Sequence, residues 1–350
     1  MEHIIGIDVG SEVSSVVAMN KHGRVVLETR IATSERNLRE LVKSIRGPRK
    51  IVFEECGQAA WLYSILEPLS AAIIVCDPKK NKDLSGNSKD DDRDAFNLTE
   101  RCRLNALSPV WHGGKSLQAL RDHLRDYQLL TSESTAMKNR IKAVFRNRGI
   151  SIGNRAYDPA ERKEAIKLLP IRVLRTRVIH LGEVLDTITE QRSDALQQLV
   201  KSAKKNKMFS PLCSMPRIGD IFASTIIGEV GTPERFRTRK QFWSYIGLAV
   251  TTFETGEYYT DERNAIRKKR KQARTRGLVR RYNRSLKYVF KHVGMDLAGN
   301  EWADEFKRLE SSGVNKPNAW LTLSRKAAAV ALHLMKTGEM YNEELVFARK

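Results

Sequence analysis

The 350-residue chain has little that would tie it to an oxidising compartment or to a membrane. Its four cysteines, Cys56, Cys76, Cys102 and Cys213, stand apart with no CxxC pair. That argues against a zinc ribbon or a disulfide framework and fits a reduced, cytoplasmic setting. No run approaches the ~18 consecutive apolar residues of a membrane span. The opening MEHIIGIDVG has neither a basic n-region nor a small-residue cleavage site, so no export signal is expected. Internal repeats and low-complexity linkers are absent as well. What remains is a chain that is 41% apolar, enough for buried cores, and long enough for two domains or one with a long appendage.

Acids are missing from one stretch altogether. Arg263 to Lys291 holds thirteen Lys or Arg residues and no Asp or Glu. The wider balance is equally uneven: residues 1–110 carry sixteen bases and sixteen acids, and the remainder carries 46 against 25, which is the whole formal charge of +21. Such asymmetry points to a polyanion held by the C-terminal two thirds beside a neutral N-terminal unit. Tyr282, Leu286, Tyr288, Val289 and Phe290 interrupt the basic run at helical spacing, so a packed basic helix that contacts nucleic-acid phosphates is expected there.

Along the chain, residues 3–8, 13–19 and 24–31 are short β-branched runs separated by polar turns and read as three hairpin-linked strands. Ser34 with Leu38, Leu41, Val42 and Ile45 reads as a capped amphipathic helix, followed by a strand (50–54), a helix (58–68) and a strand (72–76). This order predicts an α/β layer over residues 1–110. Residues 115–148 and 160–206 carry helical apolar spacing on either side of Gly149 and Gly153, which predicts an antiparallel helical hairpin of two long helices within 111–207. Residues 208–350 read as mainly α, with helices over 216–229, 238–246, 273–294, 300–311 and 317–337 and a strand-like stretch at 248–260.

Several acids fall where chemistry could use them. Asp8 ends the first strand, Glu54 and Glu55 end the fourth, and Asp90, Asp91, Asp92 and Asp94 open a helix. Asp91 and Asp94, at i and i+3, share a helix face, whereas Asp90 and Asp92 suit helix capping. Carboxylates gathered this way suit hard cations such as Mg²⁺ or Mn²⁺, which prefer oxygen ligands. Two such ions ~3.5–4 Å apart support phosphodiester chemistry by activating the attacking oxygen and neutralising the leaving one. Alternation alone does not choose between Glu54 and Glu55. The histidines His112, His123, His180, His292 and His333 are too dispersed for a zinc site and read as surface or packing residues.

In order and rough spacing, IIGIDVG, FEECG and KDDDRDAF resemble the DEDD insertion-sequence transposases related to the Piv DNA invertases. CSMPRIGDIFASTIIGEVG is similar to that family's helix-hairpin-helix-like PGIG segment, RFRTRKQFWSYIGLAVTTFETG to its GL-x-P-x4-SG block, and RTRGLVRRYNRSLKYVF to its KRG-N-x-x-LR segment. The resemblance spans nearly the whole chain. It implies a RuvC/RNase H-like fold for 1–110, a coiled-coil hairpin for 111–207 and a basic transposase domain for 208–350. It also implies a metal-binding set of Asp8, Glu54, Asp91 and Asp94. Glu54 takes the first position of the family's E-x-[ST]-G, with Cys56 in place of the hydroxyl residue. The family serine falls on Thr255, whose hydroxyl can also serve as a nucleophile when a base or metal activates it. The PGIG turn reads Pro216-Arg217-Ile218-Gly219, and Val250 stands for the usual proline.

The implied activity is RNA-guided recombination. A structured non-coding bridge RNA pairs with donor and target double-stranded DNA, and a homodimer, or a dimer of dimers, joins them. Arg217, Lys268, Lys269, Arg270, Arg280, Arg281 and Arg284 would grip phosphates. Two other readings use the same residues: a metal-dependent endonuclease of the Holliday-junction-resolvase type, and a non-catalytic, domesticated nucleic-acid-binding homologue.

Overall fold

The computed structural model describes residues 2–78, 91–112, 115–253, 258–260, 265–268 and 274–347. They form two compact units, Met1–Gln118 and Ala119–Lys350.

In the first unit the β-branched runs become strands β1 (His3–Asp8), β2 (Val13–Asn20) and β3 (Val25–Ala32), joined as antiparallel neighbours. Helix α1 (Glu35–Ser44) follows, with the Ser34 hydroxyl accepting from the Asn37 amide at 3.2 Å, the N-cap that the sequence predicts. Strand β4 (Arg49–Glu54), helix α2 (Ala59–Leu66), strand β5 (Ala72–Cys76), helix α3 (Asp91–Arg103) and the short β6 (Pro109–Val110) complete the unit. The six-stranded sheet has the order β3-β2-β1-β4-β5-β6, parallel across β1/β4/β5 and antiparallel elsewhere.

Strand alternation divides this sheet's core into two layers. On one face Ile5, Ile7, Ile51 and Phe53 are buried with Leu38 and Val42 of α1 and Leu62 and Leu66 of α2. On the other, Ile4, Val52 and Cys76 cluster with Leu98 and Cys102 of α3, and Val17 and Met19 with Ala95. The third helix lies very close to the sheet. A Cβ on Gly6 would stand 2.1 Å from Thr99 Oγ1 and 2.7 Å from the Ala95 carbonyl oxygen, so only glycine fits. Thr99 Oγ1 in turn donates to that carbonyl at 2.7 Å.

The second unit opens on the expected hairpin. Helix α4 (Lys115–Arg146) reverses through Gly149 and Gly153, both at positive φ, and returns through α5 (Pro159–Ile166) and α6 (Arg172–Ala203). Met137, Ile141 and Phe145 of α4 pack with Ala165, Leu169, Val178 and Leu185. The return limb is not the single helix expected over 160–206. Pro170 has no N–H to donate and disfavours helical geometry at Leu169, so the limb breaks between α5 and α6. Arg162, buried, bridges the break by reaching both Asp186 on α6 and the Ala156 carbonyl.

Helices α7 (Phe209–Ser214), α8 (Asp220–Val230) and α9 (Arg239–Tyr245) lead into β7 (Val250–Phe253), β8 (Tyr258–Thr260), β9 (Ile266–Lys268) and β10 (Arg274–Leu278). Strand β7 pairs with β10, and β8 with β9. Helices α10 (Arg284–Gly299), α11 (Ala303–Ser311), α12 (Lys316–Thr337) and α13 (Glu343–Phe347) close the unit. The expected helix over 273–294 therefore begins as a strand and turns helical only from Arg284. Antiparallel pairing with β7 overrides helical spacing at 274–278, and the helix waits for Asn283, whose side chain caps the Leu286 amide at 2.9 Å. Where α10 crosses α12, a Cβ on Gly294 would come within 2.6 Å of Ser324 Cα, so the two backbones meet at a glycine.

Candidate active site and nucleic-acid interface

Asp8 is the last residue of β1 and Glu54 the last of β4, on parallel neighbours whose register pairs Ile7 with Phe53. The two carboxylates therefore stand side by side at the C-terminal edge of the sheet. Facing, which alternation alone left open, is decided by the cores. Ile4 and Gly6 face α3, so Asp8 does too. Val52 faces α3, and Glu54 lies opposite Cys76 of the same cluster, so Glu54 shares that face.

Direction follows from the same contacts. Ile4 clusters with Leu98 and Cys102, whereas Gly6 abuts Ala95 and Thr99. Helix α3 thus runs antiparallel to β1, and its first turn lies toward the strand end that carries Asp8. Asp91 begins this helix, and Asp94, half-buried, follows one turn on. The Asp91 side chain lies outside the described residues. Among the described residues no three His, Cys, Asp or Glu side chains gather closely enough to hold a metal ion.

Glu55 is committed elsewhere. Its carboxylate bonds to Nε2 of His112 at 2.5 Å, and the imidazole stacks on Tyr63 with centroids 5.5 Å apart and planes 16° from parallel. The His112 side chain is only 9% exposed. Sequence reasoning set His112 aside as one dispersed histidine among several. Nothing local marks it, because its two partners lie about fifty residues upstream and only the sheet brings them together.

In the second unit, Arg217 has φ +67°, the left-handed region that glycine favours, at the position where the resembled turn carries glycine. Its Nε donates to Glu301 at 2.9 Å, and this bond holds the Glu301 carboxyl below the usual carboxylate range and raises the arginine. Arg280, Arg281 and Arg284 are exposed, the last at the first turn of α10. Lys268 ends β9, its backbone paired with Tyr258, and its side chain lies outside the described residues. Lys269, Arg270 and Thr255 lie outside them entirely.

Carboxylates at a sheet edge in a neutral unit, chained to a basic helical unit, suit a protein that acts on nucleic acid. Comparison with known proteins makes that class an insertion-sequence transposase. Residues 5–148 match a family model described as a transposase, and residues 210–276 match one described as the transposase IS116/IS110/IS902 family. Similar proteins include a probable family 20 transposase of Pseudomonas aeruginosa, 22% identical over 72% of this chain and 75% of that one. The transposase for insertion sequence element IS1111A of Coxiella burnetii is 22% identical over 72% and 70%, and that for IS1328 of Yersinia enterocolitica 23% identical over 72% and 75%. The chain belongs to the IS110/IS116 family of transposases. No helix among the described residues is long and apolar enough to cross a membrane.

Proposed function

We propose that this transposase joins donor and target DNA by metal-assisted phosphoryl transfer, with its acidic centre in the first unit and a side-chain hydroxyl, Thr255, as nucleophile. The observation that carries the reading is the placement of Asp8 and Glu54 side by side on the α3-covered face, at the edge toward which the first turn of α3 brings Asp91 and Asp94. The strand order, with three antiparallel strands followed by two parallel ones, supports a RuvC/RNase H-like domain. The division of the remainder into a coiled-coil hairpin and a C-terminal transposase domain belongs to the same reading.

The donor set consists of carboxylate oxygens, which fits Mg²⁺ or Mn²⁺ and not a thiolate- or imidazole-seeking metal. Asp8, Glu54, Asp91 and Asp94 would hold it. When bound, the cation supplies Lewis-acid stabilisation of charge on the phosphate oxygens. The chain's own contribution is to hold these carboxylates at one sheet edge, with Glu55 withdrawn from them by His112, and to grip the DNA through Arg280, Arg281 and Arg284 together with Lys268, Lys269 and Arg270. Guidance by a structured non-coding RNA and action as a dimer or dimer of dimers complete the proposal.

The decisive experiment is denaturing electrophoresis of the protein incubated with its DNA and Mg²⁺. A covalent protein–DNA adduct is expected from the wild type and not from Thr255→Val. Cleavage without any adduct would replace the hydroxyl nucleophile with water, as in a resolvase-like endonuclease. No cleavage at all would leave only a DNA-binding homologue.

A further inference from the structure

One surface of the second unit combines features that duplex phosphates alone do not require. Between the C-terminal part of α6 and the start of α8 lies a groove of about 820 Å³. Its walls are apolar, from Leu196, Val200, Ile221 and Phe222, and cations come from Lys201, Lys204 and Arg217, against one acid, Asp220. The Glu301 carboxylate fixes the Arg217 guanidinium.

The apolar wall continues onto α10. Phe222 meets Tyr288 edge to face, with centroids 6.4 Å apart, and Tyr288 packs against His292 at 3.9 Å. His292 Nδ1 lies 2.8 Å from the Tyr288 carbonyl oxygen, which holds that imidazole against the ring. Even so, Tyr288 is 58% exposed. It stands in an outward stripe of α10 with Arg284, Lys291 and Met295, all exposed and none acidic.

An aromatic ring held by its neighbours yet open to solvent, beside an apolar groove with a cationic lining, suits an unstacked base and its backbone. Bases in an intact duplex cannot offer a π-face to it. We infer that the α6/α8 groove with Tyr288 is a binding site for an unpaired segment of DNA, in which a base stacks on Tyr288 and Phe222 while Lys201, Lys204 and Arg217 take the phosphates. The cations match a polyanion, and the stacking wall selects single-stranded over paired DNA. The inference rests on the chain acting on DNA, and it is independent of the acidic centre.

The test uses the full chain in EDTA, so that cleavage plays no part, with fluorescence anisotropy on a single-stranded oligonucleotide and on its duplex. Tyr288→Ala is expected to weaken single-strand binding about tenfold, the scale of one base–aromatic stack, and to change duplex binding less than about twofold. Tyr288→Phe, which keeps the ring, is expected to bind as the wild type does. A 2-aminopurine in the strand should be quenched by the wild type and by Tyr288→Phe but not by Tyr288→Ala. Lys204→Gln should lower the salt slope of single-strand binding by about one and leave that of the duplex unchanged. Equal single-strand affinity for wild type and Tyr288→Ala would overturn the proposal, as would an equal loss on strand and duplex. Binding of RNA of the same sequence with none of DNA would overturn it too. Loss of strand cleavage in metal-containing buffer, with these affinities intact, would count against the acidic centre alone.

Discussion

The two units solve opposite electrostatic problems. Residues 1–110 are neutral overall, and the candidate acids Asp8 and Glu54 end two parallel strands at one edge of the sheet, with Asp94 in the first turn of α3. The rest carries the entire surplus of +21, spread over helix surfaces and exposed arginines. A cation centre needs a few anionic oxygens brought together, which a sheet edge can hold because strand register fixes neighbours to within one residue. Phosphate grip needs many cations along a path, and its strength scales with their number rather than with any one position. The comparison teaches that position matters in the first unit and count in the second. It also explains why Arg217 can be tied to Glu301 while other cations remain exposed.

The largest expected effect breaks the first unit's chemistry without touching the second. Asp8→Asn should lower strand cleavage by about 10²–10³-fold or more, the scale of one lost electrostatic stabiliser. Gel-shift affinity for the same DNA should stay within about twofold. A parallel loss of affinity would show that the sheet edge grips DNA and would dissolve the contrast. Next comes packing. Gly6→Ala places a methyl 2.1 Å from Thr99 Oγ1 and 2.7 Å from a backbone oxygen, so α3 must move, at about 1–3 kcal/mol for an overpacked core. Urea titration should show the loss, and amide exchange should rise over β1 and α3 while α10 and α12 keep their protection.

The smallest effect belongs to the second unit. Glu301→Gln removes the Arg217 ion pair, which is part-exposed on both sides, so only a small loss of stability is expected, and less in high salt. The sign with pH is fixed by Glu301, whose carboxyl the Arg217 bond depresses. The pair's stabilisation is full above the ordinary carboxylate value of 4.5 and fades as acid carries the pH down through the lower folded value. Denaturation curves of wild type and Glu301→Gln should thus differ at neutral pH and converge in acid. A constant gap at all pH values would mean that Glu301 acts by packing.

Much of the first unit was legible because its signals are local. β-Branched runs, polar turns and the Ser34 cap all act within a few residues, and the strand ends at Asp8 and Glu54 follow from them. The hairpin was legible from apolar spacing, whereas its break at Pro170 comes from proline's missing donor, a local signal that apolar spacing does not carry. The strand at 274–278 was not legible. Its partner is β7, more than twenty residues upstream, and pairing energy overrode an apolar pattern that fits a helix.

By itself, then, the sequence determined the order of elements, the charge contrast between the two regions and the residues able to do chemistry, because propensity, charge and residue type are carried by neighbouring positions. Tertiary structure decided which of Glu54 and Glu55 faces Asp8, that His112 and Tyr63 occupy Glu55, that Arg217 answers to Glu301, and that Phe222 and Tyr288 share one wall. Each of these depends on which side of a strand or helix meets a distant partner, and that is fixed only when the sheet and the helices pack.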